Sequence, residues 1–280
     1  MNQYKIHAEK ISQFTLYLQQ CGTSSGTVEK YRRDVRRFAA WLEEKPASQE
    51  MLIRWRETLL EEGCCHTTVN SMLAAVNAFF RFMGWKLRAG FLRIQKKIFC
   101  DPGRELTKQD YFQLLETADK AGRRRLSLLM ETICATGIRV SEVPYITVEA
   151  ARNGKAEISL KGKTRTILLP KKLCRKLLQY ARQQKTASGE IFLTRSGKSL
   201  SRKQIWAEMK SLCRKAGISS GKVFPHNLRH LFARTFYQAS RDVAKLADVL
   251  GHSSLETTRI YLMSTGTEHM RLLDRLHMLL

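Results

Sequence analysis

The chain is predicted to be mainly α-helical and built in two parts: a helical bundle, then an α+β part with one small antiparallel sheet. Three observations carry this. Apolar residues recur at helical spacing through most of the 280 positions. Three short β-rich runs interrupt that period in the middle. Around residues 85–105 the periodicity disappears and positive charge accumulates, as in a connector. The expected division is 1–85, a basic linker over 86–105, and 106–280. The length suits two domains, and 43% hydrophobic residues suffice for their cores, which excludes wholesale disorder.

Each element follows from its pattern. His7–Gln20 places Ile11, Phe14 and Leu18 on one face and stops at Gly22. Thr27–Glu44 does the same with Val28, Tyr31, Val35, Phe38 and Leu42, and Pro46 ends it. A third helix follows Ser48 with Leu52, Trp55 and Leu59 inward. A fourth starts near Thr67, buries Val69, Met72, Leu73, Val76, Phe79 and Phe80, and stops by Gly84. Four short amphipathic helices with brief loops make a small bundle. The second part opens on Thr107 and Asp110, spaced as a capping box. A helix over Arg124–Ala135 follows. Ile146–Val148, Ala156–Lys161 and Arg165–Leu169 read as strands, joined by turns at Asn153-Gly154 and Gly162-Lys163-Thr164. Helices return at about 171–183, 202–216, 227–239, 242–250, 255–263 and 268–279.

Charge narrows the function. Forty-nine Lys and Arg against 25 Asp and Glu give +24 and a pI near 10.1. Residues 1–100 carry 16 basic and 9 acidic side chains, and 101–280 carry 33 and 16, so neither half alone holds the excess. Such a chain wants a polyanion, and two basic units could grip one nucleic acid between them, double-stranded DNA being the partner the later motifs favour; a ribosomal-type RNA binder and a protein at an anionic membrane surface are the alternatives that charge alone leaves open. Arg32, Arg33, Arg36 and Arg37 crowd one face of the second helix, and Lys96 and Lys97 stand in the linker, all as DNA-binding candidates. No run of about 18 apolar residues is present, so no membrane-spanning helix is expected. The N-terminal segment lacks the apolar core of a signal peptide. Seven scattered cysteines without a Cys-x-x-Cys pair argue against a disulfide framework and a zinc site. The expected location is the cytoplasm, at the nucleoid.

Four clusters carry candidate chemistry, each weak alone. Gly137-Ile138-Arg139 with Glu142 reads as a helix end followed by a surface charge. Lys161-Gly162-Lys163 sits at a hairpin, where a lysine reaches beyond the sheet. His226, Arg229 and His230 share a helical face; a metal pair is disfavoured because no glutamate follows His226. Gly251-His252 precedes Tyr261 by nine residues, and the spacing alone allows a C-cap and a core tyrosine.

Taken in order, Arg, turn Lys, His-x-x-Arg, Gly-His and Tyr resemble the tyrosine recombinase, or phage integrase, family over nearly the whole chain. Several expectations follow from that resemblance. The first part is a SAM-like core-binding domain and the second the family's catalytic fold. Arg139, Lys161, His226, Arg229, His252 and Tyr261 form the active site, with Glu142 in support. Lys161 is favoured over Lys163 as the acid, and Lys163 then joins the DNA contacts. The resemblance further implies strand exchange through a 3′-phosphotyrosine and a Holliday junction, without metal or cofactor. It also implies that the leucine-faced tail, with Leu272, Leu273, Leu276, Leu279 and Leu280, docks on a neighbour. The assembly is then a tetramer on two DNA sites, with a related recombinase as an alternative heteropartner. A chain this short is expected to lack an additional arm-binding domain. The competing readings are a type IB topoisomerase, which shares this chemistry but relaxes DNA as a monomer, and a DNA-binding module with a decayed site.

Overall fold

The computed structural model describes residues 4–94, 102–160, 163–252, 254–262, 270 and 274–276. The chain divides into two compact units, Met1–Lys96 and Lys97–Leu280.

The first unit is a bundle of α1 (Ala8–Gln20), α2 (Ser25–Leu42), α3 (Gln49–Glu61) and α4 (His66–Phe82). Their apolar faces meet in an aromatic core. Phe14 stands edge-on to Phe79 at 5.4 Å, and Phe38 tilts against Trp55 at 4.7 Å. Asp34 is buried, and Lys30 reaches it at 2.6 Å while also donating to the Ser71 carbonyl, a clip between α2 and α4. The first stretch of the expected linker is not a loose connector. Asn77 exchanges two hydrogen bonds with Ala89, and Asn70 two with Leu92. These asparagines lie seven apart on α4, so two turns of one helix face hold the passing backbone in β-ladder fashion. Among the arginines of α2, Arg32 pairs with Glu29, Arg33 with Asp34 and Arg37 with Glu62. Arg36 is exposed without a partner among the described residues. Lys96 and Lys97 lie outside the described residues.

The second unit contains α5 (Lys108–Lys120), α6 (Arg124–Thr136), α7 (Val148–Asn153), β1 (Lys155–Leu160) and β2 (Lys163–Leu168). It continues with α8 (Lys171–Gln183), α9 (Arg202–Ala216), α10 (Pro225–Ser240), α11 (Val243–Leu250) and α12 (Leu255–Arg259). Thr107 and Asp110 form the expected capping box on α5. The sheet is a two-stranded antiparallel hairpin in which Ile158 faces Arg165 and Ala156 faces Ile167. Its core face carries Ala156, Ile158 and Ile167 into the apolar centre, which continues through Leu129, Ile133, Leu177 and Leu228.

Three expectations are corrected here. Ile146–Val148 is not a strand, because Thr147 makes one isolated bridge to Glu190 and its hydroxyl then caps α7 by accepting from Ala150 N–H. Asn153-Gly154 is therefore a helix end, with Gly154 left-handed at φ 68°, and not a hairpin turn. Lys163 and Thr164 likewise lie within β2 rather than in the connecting turn. The expected tail helix over 268–279 lies almost wholly outside the described residues. Among the described residues no helix is long and apolar enough to cross a membrane.

Candidate active site

Pro225 opens α10 at a position that needs no N–H and sets the helical φ. One turn on, Arg229 points into the unit and is 1% exposed. Its guanidinium meets four groups. Nε donates to the Tyr261 hydroxyl at 3.3 Å, and Nη1 donates to the Gly137 carbonyl. Nη2 donates to the Leu250 carbonyl at 2.9 Å and lies 2.9 Å from His252 Nε2. Gly137 caps the C-terminus of α6 and Leu250 ends α11. Both carbonyls therefore belong to helix ends that carry partial negative charge. A buried cation is thus held by two backbone termini instead of a carboxylate.

The same contact fixes the tautomer of His252. A guanidinium only donates, so Nε2 accepts and Nδ1 carries the proton, which it gives to Thr258 Oγ1 at 2.9 Å. Burial, then the positive charge of Arg229, Arg139 and Arg165, pushes the His252 pKa down to about 4. The imidazole is neutral at pH 7.

A second cluster adjoins the first. Glu142 is 2% exposed in the 3₁₀ turn Val140–Tyr145. Its Oε2 accepts from the Arg139 backbone N–H and from Arg165 Nη2, both at 2.6 Å, and its Oε1 accepts from Arg139 Nη1 at 3.1 Å. Arg165, on β2, also donates through Nη1 to the Leu250 carbonyl. That carbonyl therefore receives both Arg165 and Arg229. The Arg139 side chain stays 42% exposed, so it is the cation of the group that faces outward.

Tyr261 lies in the 3₁₀ turn Ile260–Leu262, buried beside Ala233, Leu246 and Leu250. Its ring is 5.5 Å from His252, 4.3 Å from His230 and 5.9 Å from His226. The phenol is buried, yet its hydroxyl is bonded to Arg229 and not lost in apolar packing. Burial and Arg229 lower the His226 pKa, and burial with His226 pushes that of His230 down to about 4. Two glycines make the close packing possible. At Gly137 (φ +65°) a Cβ would stand 2.6 Å from Phe232 Cε1 and closer still to Cδ1, and at Gly251 (φ +63°) 2.6 Å from Arg165 Cδ.

Six of the sequence candidates, Arg139, Glu142, His226, Arg229, His252 and Tyr261, thus gather in one place. Lys161 lies outside the described residues, as does the side chain of Lys163. Sequence reading missed Arg165 and Thr258, and passed over His230 except as a metal ligand. Strand parity was the available signal for Arg165. It shares the inward parity of Ile167 and Leu169, an uncommon place for a lone arginine. His226 and His230 meet edge-on at 4.7 Å, and among the described residues no three potential ligands gather as a metal site.

This arrangement, two arginines and neutral imidazoles around one phenol, suits phosphoryl transfer to a tyrosine. Residues 104–268 match the phage integrase family, and 11–86 match the phage integrase N-terminal SAM-like domain. The chain belongs to the phage integrase family. It is 31% identical to Tyrosine recombinase XerA of Pyrococcus furiosus, over 100% of this chain and 98% of that protein. It is 25% identical to Tyrosine recombinase XerD of Staphylococcus aureus, over 95% and 98%. Solved structures share the fold at lower identity. XerH bound to its difH substrate superposes with a TM-score of 0.69 at 21% identity, over 96% of this chain and 84% of that one. A lambda integrase tetramer bound to a Holliday junction gives 0.71 at 16%, over 90% and 76%. These relatives are recombinases and integrases, and nothing in them favours the topoisomerase reading.

Proposed function

We propose that this protein is a site-specific DNA recombinase that cuts and rejoins strands through a covalent 3′-phosphotyrosine at Tyr261 and a Holliday junction. The observation that carries the reading is the single buried guanidinium of Arg229, which bonds both the phenol and the His252 imidazole. Chain segments 137–142, 165, 226–230 and 250–261 converge there. The names of the relatives point the same way.

In this reading a scissile phosphate lies against Arg139 and Arg229. A phosphodiester resists attack because its non-bridging oxygens already carry charge. Two fixed guanidiniums oppose the charge that grows as phosphorus becomes pentacoordinate, and each such donor contributes roughly two to three powers of ten in rate. The phenol leaves Arg229 for phosphorus. To attack, the phenol must lose its proton, and neutral His226 takes it. The new bond joins Tyr261 Oη to phosphorus, and the bond to the 5′-oxygen breaks. Lys161 gives that oxygen a proton. Since one ester replaces another, a second DNA 5′-hydroxyl reseals the strand by the reverse steps, without metal or cofactor.

The remaining roles complete the proposal. Residues 1–85 clamp the DNA, with Arg36 free to contact it and Arg32, Arg33 and Arg37 able to exchange partners. Lys96, Lys97 and Lys163 add phosphate contacts. The tail over 268–280 docks on a neighbouring protomer, giving a tetramer on two sites of cytoplasmic, nucleoid DNA; a related recombinase is an alternative partner. The test uses nicked duplexes recovered by covalent trapping from a random-sequence pool. The wild type should form a denaturant-resistant adduct on them, and Tyr261→Phe should bind without forming one. An adduct in that variant refutes Tyr261 as the nucleophile. Relaxation of supercoiled plasmid without site preference refutes recombination in favour of the topoisomerase reading.

A further inference from the structure

We infer that Arg165 is a positioning residue that locks Arg139 and His252 into one phosphate-binding platform. This rests on the recombinase reading. Three connections motivate it. Through Nη2 Arg165 holds Glu142, which in turn holds the backbone and side chain of Arg139. Through Nη1 it holds the Leu250 carbonyl, shared with Arg229 and two residues before His252, with a longer contact of 3.5 Å to Val249. Its stem lies against Gly251, where any side chain would collide with it. One guanidinium from the hairpin therefore ties together the segments that carry Arg139 and His252.

Arg165 itself does not reach the phosphate. Its side chain is 17% exposed, both Nη atoms are engaged, and Nε is buried without a hydrogen-bond partner. It acts by fixing its neighbours. A planar fork suits this task, since a lysine ammonium cannot span Glu142 and Leu250 in the same geometry.

The experiment measures single-turnover cleavage of the trapped nicked duplexes at saturating DNA, beside DNA affinity and thermal melting. Arg165→Met keeps the stem and loses both links. Cleavage should fall by about 10²-fold, the usual effect of a displacement near 1 Å, with affinity within about twofold, since phosphate and base contacts elsewhere supply binding. Arg165→Lys should restore part of the rate. Glu142→Gln combined with Arg165→Met should fall no further than the worse single variant, because the two act as one unit. A duplex with a 5′-thiol leaving group, which needs no acid, should leave the Arg165→Met deficit in place while relieving that of Lys161→Ala.

Three results overturn the inference: wild-type cleavage by Arg165→Met, deficits that multiply in the double variant, or rescue of Arg165→Met by the thiol. If Arg165→Met does not fold, Arg165→Lys decides, and full-speed cleavage by that variant also overturns it. A wild-type protein that forms no adduct refutes the recombinase reading instead, so the two failures are separable.

Discussion

Replacing Gly137 by alanine separates two costs that the structure superimposes. Gly137 and Gly154 both end helices of the second unit in the left-handed region, at φ 65° and 68°. A Cβ at Gly154 meets nothing within 4 Å, whereas at Gly137 it would stand 2.6 Å from Phe232 Cε1 and 3.1 Å from Leu250 Cδ2. Gly154→Ala therefore carries only the backbone penalty, about 1–2 kcal/mol. Gly137→Ala carries the same penalty plus overpacking of about 1–3 kcal/mol. Equilibrium urea denaturation of the two variants should differ by that second amount. Gly137→Ala should also slow cleavage, because the Gly137 carbonyl holds Arg229 Nη1; Gly154→Ala should not. Equal stabilities would show that the Phe232 ring yields freely, and the packing argument for this corner would fail.

Two further predictions concern the imidazoles. Thr258→Val keeps the shape of a fully buried side chain but leaves His252 Nδ1–H without its acceptor. A lost buried partner costs about 1–3 kcal/mol, so single-turnover cleavage should drop about tenfold to a hundredfold; an unchanged rate would show that His252 needs no orienting bond. His230 has a folded pKa of about 4, below the usual value of 6.5, so the fold favours its neutral form. Its contribution is complete above about pH 6.5 and is lost as pH falls from there toward 4. Between pH 7.5 and 5 the wild type should lose roughly 1 kcal/mol more stability than His230→Gln, after allowance for partial solvent screening. Equal losses in denaturant titrations would refute the assignment.

Most helices were legible because an apolar stripe recurs at helical spacing, and several end at a glycine, as at Gly137, Gly217 and Gly251. Four of the misread features had physical causes. Val148–Asn153 follows β-branched Ile146 and Thr147 and begins on a third, Val148, and it is too short for its period to register, although Thr147 before it and Gly154 after it are a proper pair of caps. The pinning of 89–92 depends on Asn70 and Asn77, polar residues that an apolar pattern ignores. Arg165 has partners 23 and 85 residues away, beyond any local window. Thr258 is buried for one hydrogen bond, and nothing in the spacing of Thr257 and Thr258 says which of the two turns inward. The candidate site itself was legible only as an ordered set; no member of it stood out by its neighbours.

The way Arg229 is held bears on how an anion enters. Had a carboxylate neutralised it, an arriving phosphate would have to evict a rival of the same sign and leave that rival stranded in a dry interior. Peptide dipoles at two helix tips steady the cation while leaving its full unit of charge unspent. The surroundings of Arg229 are accordingly electropositive before DNA arrives, and no side-chain acid has to leave that guanidinium for the substrate to settle.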